Sequence, residues 1–313
     1  MSIVLSSNAR ETICSRFGDR VLFDEPLAPY VAYRIGGPAD LLVFPRGEEE
    51  LVWLSDFAQR EKLPVTVVGT GTNLLVHDDG IRGVTVILKE GLNSIEEIGR
   101  DDRGVSVRVG GGVQKAVFLN WACERGYTGL EFSSGVPGTI GGGIFMNAGT
   151  KYGSYGDILG ELRLFSFEKG VTTLRREELQ FGYREQNAVR NAIVLSATFR
   201  LGFGESTVIS AEINRIIAER AAKQPLDFPS CGSTFKNPPD LSAGRLIEKS
   251  GVKGLRIGDA EISEKHANFI LNRGRAKASE VQCLIDVVGV IVEERFGVTL
   301  ETEVIILGGP RER

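Results

Sequence analysis

A chain of 313 residues is long for one compact core, so two or three domains are expected. Hydrophobic residues make up 42% and charged residues 25%, the balance of an ordinary soluble protein, which excludes a largely disordered chain. A net charge of −4 with no run of Lys and Arg excludes a general attraction to nucleic acid, so any anionic ligand must be held by a local site.

No apolar segment approaches the ~18 to 20 residues needed to span a bilayer, so no membrane insertion is expected. The N-terminus has only a short apolar run before Arg10 and Glu11 and does not read as a signal peptide, which points to a cytoplasmic protein. Cys14, Cys123, Cys231 and Cys283 are far apart, form no C-x-x-C and should remain reduced. His77 and His266 share no metal-ligand spacing with each other or with a cysteine, so no metal is expected.

Residues 1–30 carry no clear period beyond a short helix and read as an N-terminal segment closed by Pro26 and Pro29. From Ala39 the pattern runs ADLLVFP (strand), GEEELVWLSDFAQREKL (helix) and PVTVVGTGTN (strand into a glycine turn), a β-α-β unit. Such a turn either binds phosphate through backbone amides, with Thr70, Thr72 and Asn73 adding side-chain bonds, or is an ordinary strand exit. Gly69-x-Gly71 lacks the third glycine of G-x-G-x-x-G, and no G-x-x-x-x-G-K-[ST] occurs, so neither a Rossmann nor a P-loop assignment fits. A strand at Val84 to Leu88 precedes a second unit, in which GVSVRVGGG is a strand and glycine turn and VQKAVFLNWACERG a helix closed by Gly126.

The stretch Gly135 to Gly149, GVPGTIGGGIFMNAG, has six glycines in fifteen residues, with Val136, Ile140, Ile144, Phe145 and Met146 threaded between them. Glycine brings backbone N–H groups close to a ligand, and the apolar residues argue for burial. Unpaired buried amides need an acceptor, so the stretch is either a phosphate cradle or a tight packing crossover. Beyond it, Leu162 to Phe167 and Val171 to Leu174 read as a hairpin and Ala192 to Leu201 as a buried strand. After about residue 204, the helix Thr207 to Lys223, an irregular segment, the helix LSAGRLIEKSGV, the strand ANFILN, the helix Ala278 to Phe296 and the strand EVIIL predict a small α+β unit.

These segments resemble the UDP-N-acetylenolpyruvoylglucosamine reductases, flavoenzymes that complete the UDP-N-acetylmuramic acid precursor of bacterial cell wall. The resemblance rests on YRIGGPAD (Tyr33 to Asp40), VVGTGTNLLV (Val67 to Val76), the central glycine stretch, FGYRE (Phe181 to Glu185), CGSTFKNP (Cys231 to Pro238), SEKHANFILN (Ser263 to Asn272) and ETEVIILG (Glu301 to Gly308). It implies an α+β fold in which residues 31–203 form a two-lobed FAD-binding module of the PCMH type, with lobes at about 31–88 and 89–203. Residues 204–313 would then form a substrate-binding domain. Gly69, Thr70, Gly71, Thr72 and Asn73, with Gly135, Gly138, Thr139, Gly141, Gly142, Asn147, Ala148 and Gly149, would hold FAD. NADPH would be the co-substrate and UDP-N-acetylglucosamine enolpyruvate the substrate. Val31 and Ala32 stand where the family usually has hydroxyl residues, a departure that bears on any flavin hydrogen bond from that spot. One helix fills the space between Phe203 and Lys223, as in the shorter members that lack an extra tyrosine-bearing loop.

Reducing an enolpyruvyl ether by hydride leaves negative charge on the neighbouring carbon and its carboxylate, which calls for a cation or donors there and one proton donor at carbon. Ser233, by itself readable as a turn serine, is the family's proton donor. Arg184 supplies a planar fork matched to a carboxylate, and the family places it with Glu303 beside the enolate. Tyr183, Lys223, Lys236 and Asn237 are candidates for the UDP-sugar, and His266 for the same pocket or for a plain turn. Two rivals remain at this point: an FAD oxidase or dehydrogenase of the same fold, and a nucleotide-sugar binding module without turnover.

Overall fold

The computed structural model describes residues 5–88, 91–189 and 192–309. Residues 1–4 of the expected N-terminal segment, residues 89 and 90 at the expected junction between lobes, and the last four residues of the expected C-terminal unit lie outside the described residues.

The first lobe contains α1 (Ser7–Phe17), β1 (Val21–Pro26), β2 (Pro38–Val43), α2 (Glu48–Arg60), β3 (Val65–Val68), β4 (Leu74–Val76) and β5 (Ile81–Ile87). Its sheet has the order β1-β2-β5-β3, with β5 parallel to both β2 and β3. The inner strands β2 and β5 are apolar and buried along almost their whole length, as expected of a parallel sheet covered on both faces. Helix α2 starts on Glu48, Glu49 and Glu50, which favour a helix N-terminus, and buries Leu51, Leu54, Phe57 and Ala58 along one stripe. The segment 1–30 does not stand apart. Ala9, Ile13 and Phe17 recur every fourth residue, and this stripe joins Val21 in one core with Leu41, Val43, Leu51 and Phe57.

The second lobe follows with β6 (Ile95–Asp101), β7 (Gly104–Gly110), α3 (Lys115–Glu124), β8 (Tyr127–Thr128), α4 (Ile140–Phe145), β9 (Gly149–Thr150), β10 (Gly153–Ser154), α5 (Tyr155–Ile158), β11 (Leu159–Ser166), β12 (Gly170–Arg175), β13 (Phe181–Gly182), β14 (Glu185–Gln186) and β15 (Ala192–Phe203). An antiparallel sheet of order β12-β11-β15-β7-β6 carries it, with β8 on the far end of β15. The expected hairpin is β11–β12, and the buried strand is β15. Strand β6 escaped the sequence reading because it is an exposed edge bearing Glu96, Glu97, Arg100 and Asp101, with no apolar alternation.

The remaining elements are α6 (Ser206–Lys223), α7 (Ala243–Lys249), β16 (Arg256–Ile257), β17 (Ala260–Ile262), β18 (Ile270–Asn272), α8 (Ala278–Phe296) and β19 (Ile305–Leu307). Strands β16, β17 and β18 form a small antiparallel sheet, and α8 covers it with Val281, Leu284, Ile285, Val288 and Val292. Three contacts correct the expectation of a self-contained unit at 204–313. Helix α6 buries Ile209 and Ile213 in the core of the second lobe. Strand β19 leaves the small sheet and pairs in parallel with β4 of the first lobe. Tyr33, Ile35 and Leu75 are built into the core of this unit, and the Tyr33 hydroxyl donates to the Ile270 carbonyl at 2.9 Å. Among the described residues no helix is long and apolar enough to cross a membrane.

Asn272, 2% exposed, ties these parts together. Its Nδ2 donates to the Tyr33 carbonyl at 3.0 Å, and its Oδ1 accepts from the amides of Gly274 at 2.9 Å and Ala276 at 3.1 Å. Asn272→Ala strands the buried Tyr33 carbonyl and Ala276 amide and is expected to cost about 2 to 4 kcal/mol. A lower denaturant midpoint at unchanged slope in equilibrium unfolding checks this.

Candidate active site

A cavity of about 1130 Å³ opens where the two lobes and the C-terminal unit meet. Its wall includes the turn from Gly69 to Asn73, parts of the central glycine stretch, Arg184, Arg220, the segment Gln224 to Ser233, Glu303 and Ile305.

The turn after β3 is held open from behind. Gly71 sits at φ +62, and a side chain there would meet Val31 at 2.6 to 2.8 Å. The Ala32 amide donates to the Gly71 carbonyl at 3.2 Å. Val31 and Ala32, standing in place of hydroxyl residues, therefore act as a wedge that shapes the turn. Among the described residues the amides of Thr70, Gly71 and Thr72 donate to no protein acceptor. All three residues line the cavity, so the turn presents a row of free donors to a ligand.

Much of the central stretch is a tight packing crossover, one of the two readings its sequence left open. Ile140 to Phe145 close into the short helix α4, capped by Thr139, whose Oγ1 accepts from the Gly142 amide at 3.2 Å. The Ile140, Gly141 and Gly143 amides donate to the carbonyls of Val113, Gly111 and Thr139, each at 2.8 Å, and the Ala148 amide donates to Gly143 at 2.7 Å. Packing explains two of the glycines: a side chain on Gly141 would sit 3.0 Å from the Gly111 carbonyl, and one on Gly143 would sit 2.8 Å from the Tyr155 ring. Gly135, Gly138, Thr139, Gly141, Gly142, Ala148 and Gly149 lie on the cavity wall. Asn147 is not on it. Its Nδ2 donates to the Gly182 carbonyl at 2.9 Å and its Oδ1 accepts from the Gly156 amide at 3.2 Å, so it pins the hairpin that carries Arg184.

Ser233, Arg184 and Glu303 come together on the cavity wall. The Glu303 amide donates to the Thr234 carbonyl at 2.8 Å and the Lys236 amide to the Glu301 carbonyl at 2.8 Å, which aligns the serine loop with the acid. Asn73 reaches across from the first lobe: its Nδ2 donates to the Glu303 carbonyl at 2.8 Å, and its own carbonyl accepts from the Ile305 amide at 3.0 Å. Asn268, absent from the sequence reading although it lies in SEKHANFILN, braces the serine loop through bonds of 2.9 and 2.8 Å with the Phe235 amide and carbonyl. Arg184 occupies the left-handed region at φ +58 in the two-residue turn between β13 and β14, a conformation uncommon for a side-chain-bearing residue. Its Nε donates to Glu303 Oε1 at 2.7 Å and its Nη1 to the Gly149 carbonyl at 3.0 Å. The Glu303 side chain is 13% exposed, and burial pushes its pKa up despite the opposing pull of Arg184 and Lys236. The Ser233 hydroxyl has no protein partner among the described residues, unlike a turn serine that satisfies its own backbone.

The residues assigned to a UDP-sugar do not line the cavity. Tyr183 is 54% exposed and lies beside the Arg184 guanidinium. Lys223 pairs with Glu219 at 2.9 Å, and Lys236 is bonded to Glu301. Asn237 accepts from the Ala243 amide at 3.1 Å and so fastens the start of α7. His266 packs edge-on against Phe269, and burial pushes its imidazole pKa down. Two cations that the sequence reading passed over take their place on the wall. Lys115, directly after a glycine turn, and Arg220, in the last turn of α6, both line the cavity. Arg220 Nε is buried without a partner, against Gly135. Lys62, Lys115, Arg184 and Arg220 thus share the cavity wall with two carboxylates, Glu168 and Glu303, an excess of positive charge suited to a polyanionic ligand. Among the described residues no group of three His, Cys, Asp or Glu is placed to hold a metal ion.

An acid whose folded pKa is raised favours the folded chain most fully at low pH, and that contribution is lost as pH rises through the folded value. Glu303→Gln keeps the acceptor for Arg184 without the charge. The variant should melt higher than the parent near neutral pH and match it below about pH 4, where the parent carboxyl is protonated in both states. Thermal melts across pH check this.

Comparison with known proteins agrees with the geometry. The family model for the C-terminal domain of UDP-N-acetylenolpyruvoylglucosamine reductase matches residues 224–307, and the model described as FAD binding domain matches residues 39–173. Proteins named UDP-N-acetylenolpyruvoylglucosamine reductase from Syntrophus aciditrophicus and Moorella thermoacetica are 43% and 41% identical over 299 and 289 residues. The alignments cover 96% of this chain and 96% of the first relative, and 92% of this chain and 94% of the second. The crystal structure of the Thermus caldophilus UDP-N-acetylenolpyruvylglucosamine reductase superposes with a TM-score of 0.76 at 32% identity, covering 92% of this chain and 98% of that one. An alkyldihydroxyacetonephosphate synthase shares the fold alone, with a TM-score of 0.50 at 16% identity over 65% of this chain and 45% of its own. Near-complete coverage by the named relatives, together with both family models, shows that this chain belongs to the UDP-N-acetylenolpyruvoylglucosamine reductase family.

Proposed function

We propose that this chain reduces UDP-N-acetylglucosamine enolpyruvate to UDP-N-acetylmuramate, with NADPH as the electron source and FAD as the bound carrier. The observation that carries this reading is the meeting of Ser233, Arg184 and Glu303 in one cavity with unpartnered backbone amides and surplus cations. The same features fit FAD: the free amides of Thr70, Gly71 and Thr72, with Gly135, Gly138 and Thr139, would receive its diphosphate, and Arg220 Nε awaits an acceptor. Bound FAD supplies the hydride. In this reading residues 31–203, joined by helix α6, form the cofactor module, and the remainder up to 313 supplies the serine loop and the acid. A nucleotide-linked cell-wall precursor places the reaction in the cytoplasm.

Reduction adds a hydride at the enolpyruvyl methylene and a proton at the neighbouring carbon. Negative charge builds on that carbon and its carboxylate between the two events. Arg184 is already fixed by Glu303 and Gly149, so its remaining N–H groups meet this charge with little reorganisation. Burial raises the pKa of Glu303, so protonation there costs less than at an ordinary carboxylate, and the protonated acid can donate to the substrate. Ser233, with a hydroxyl uncommitted to any protein group, gives its proton to the carbon. The rival with covalently attached flavin is disfavoured because His77 is not on the cavity wall and Cys231, though on it, is buried with its thiol pKa pushed up.

Ser233→Ala tests the assignment. Stopped-flow absorbance should show NADPH bleaching the flavin as in the parent, while reoxidation by the enolpyruvyl nucleotide slows about 10²- to 10⁴-fold. Equal slowing of both half-reactions would remove Ser233 from the chemistry. A folded preparation that is colourless and ignores added FAD would end the reading.

A further inference from the structure

Lys115 opens helix α3 and is 5% exposed, yet it lines the cavity. Among the described residues its ammonium makes no hydrogen bond or ion pair with the protein. A side chain built on Gly138 would lie 3.0 Å from Lys115 Cε, 3.3 Å from Nζ and 3.1 Å from Thr72 Oγ1. The ammonium therefore sits where the turn after β3 meets the central glycine stretch, among the amides that lack protein acceptors. Its stem passes Gly143 beside the Tyr155 ring of α5.

The charged groups around it make the position costly for an unpaired ammonium. Arg220 from α6 and Arg184 from the β13–β14 turn both repel its charge. Glu303 shares the cavity but is engaged by Arg184, and Tyr155 is buried with its hydroxyl pKa raised, so it stays neutral. A buried cation without a counter-ion is normally replaced or paired, and here Lys115 opens onto the cavity. It and the Thr72 hydroxyl flank Gly138, where the glycine turns meet, whereas Arg184 is bonded to Glu303.

We propose that Lys115 neutralises the diphosphate of the bound cofactor, so that cofactor uptake is coupled to proton uptake at this lysine. The proposal rests on the reading that the cavity holds FAD. Burial first, then Arg220 and Arg184, lower the Lys115 pKa to about 8 in the free protein. A diphosphate against the ammonium reverses that shift. Below about pH 8 the lysine is already charged and binding needs no proton. Above it each binding event takes one up, so affinity falls about tenfold per pH unit.

The test strips the full-length protein of flavin and titrates it with FAD and, separately, with riboflavin, which has no phosphate, from about pH 6.5 to about pH 9.5. The parent is expected to lose FAD affinity above about pH 8. Lys115→Met, close in volume, should bind FAD about 10- to 100-fold more weakly near neutral pH, lose that pH dependence and bind riboflavin as the parent does. The free variant should melt no lower than the parent, because an unpaired buried charge has been removed. FAD binding by the variant at the parental affinity would overturn the proposal, as would an equal loss of FAD and riboflavin. Failure of the parent itself to bind FAD would instead overturn the cofactor reading on which it rests.

Discussion

The geometry of the cavity depends on one side chain, Asn73, which bonds both sides of the last strand's entry: it donates to the carbonyl of Glu303 and accepts, through its own carbonyl, from the amide of Ile305. Asn73 closes the turn whose free amides face the cavity, and Glu303 carries the acid that holds Arg184. Cofactor turn, acid and arginine are thereby fixed in one frame, although they come from three parts of the chain. The parallel pairing of β4 with β19 extends that frame away from the site. Side chains held this way need little rearrangement when charge develops beside them.

Electrostatics set the other constraint. Lys115, Arg184 and Arg220 share one cavity: burial and the two arginines lower the pKa of Lys115, burial and Arg184 lower that of Arg220, and burial raises that of Glu303. A pocket of this kind is poorly satisfied on its own and well satisfied around anions, so stability and ligand affinity pull in opposite directions here. The left-handed backbone at Arg184 belongs to the same pattern of local strain carried by a functional residue.

Much of this was legible in the sequence. The long periodic helices α2, α6 and α8, the hairpin β11–β12 and the α+β character follow from spacing alone, and the motif set pointed to the family. What escaped had physical reasons. Edge strand β6 has no apolar alternation to read. Helix α4 hides in a glycine-rich string because its stability comes from the Thr139 cap and from close packing on Gly111 and Tyr155, neither of which composition reveals. Lys223, Lys236 and Asn237 flank the serine loop in sequence, and in the fold they bond Glu219, Glu301 and the Ala243 amide. Lys115 and Arg220 looked like surface cations on helices, and only the fold turns them inward.

Strand β19 pairs with β4 across some 230 residues of chain, the same separation that divides Asn73 from Glu303. The first lobe shares its core with Phe165, Ile193 and Leu195 of the second, and the flank beside its glycine turn is paired only once the chain is made through Leu307. Synthesis from the N-terminus therefore delivers a scaffold first and a working pocket last, and this late closure is a slow, long-range step on the route to the native protein.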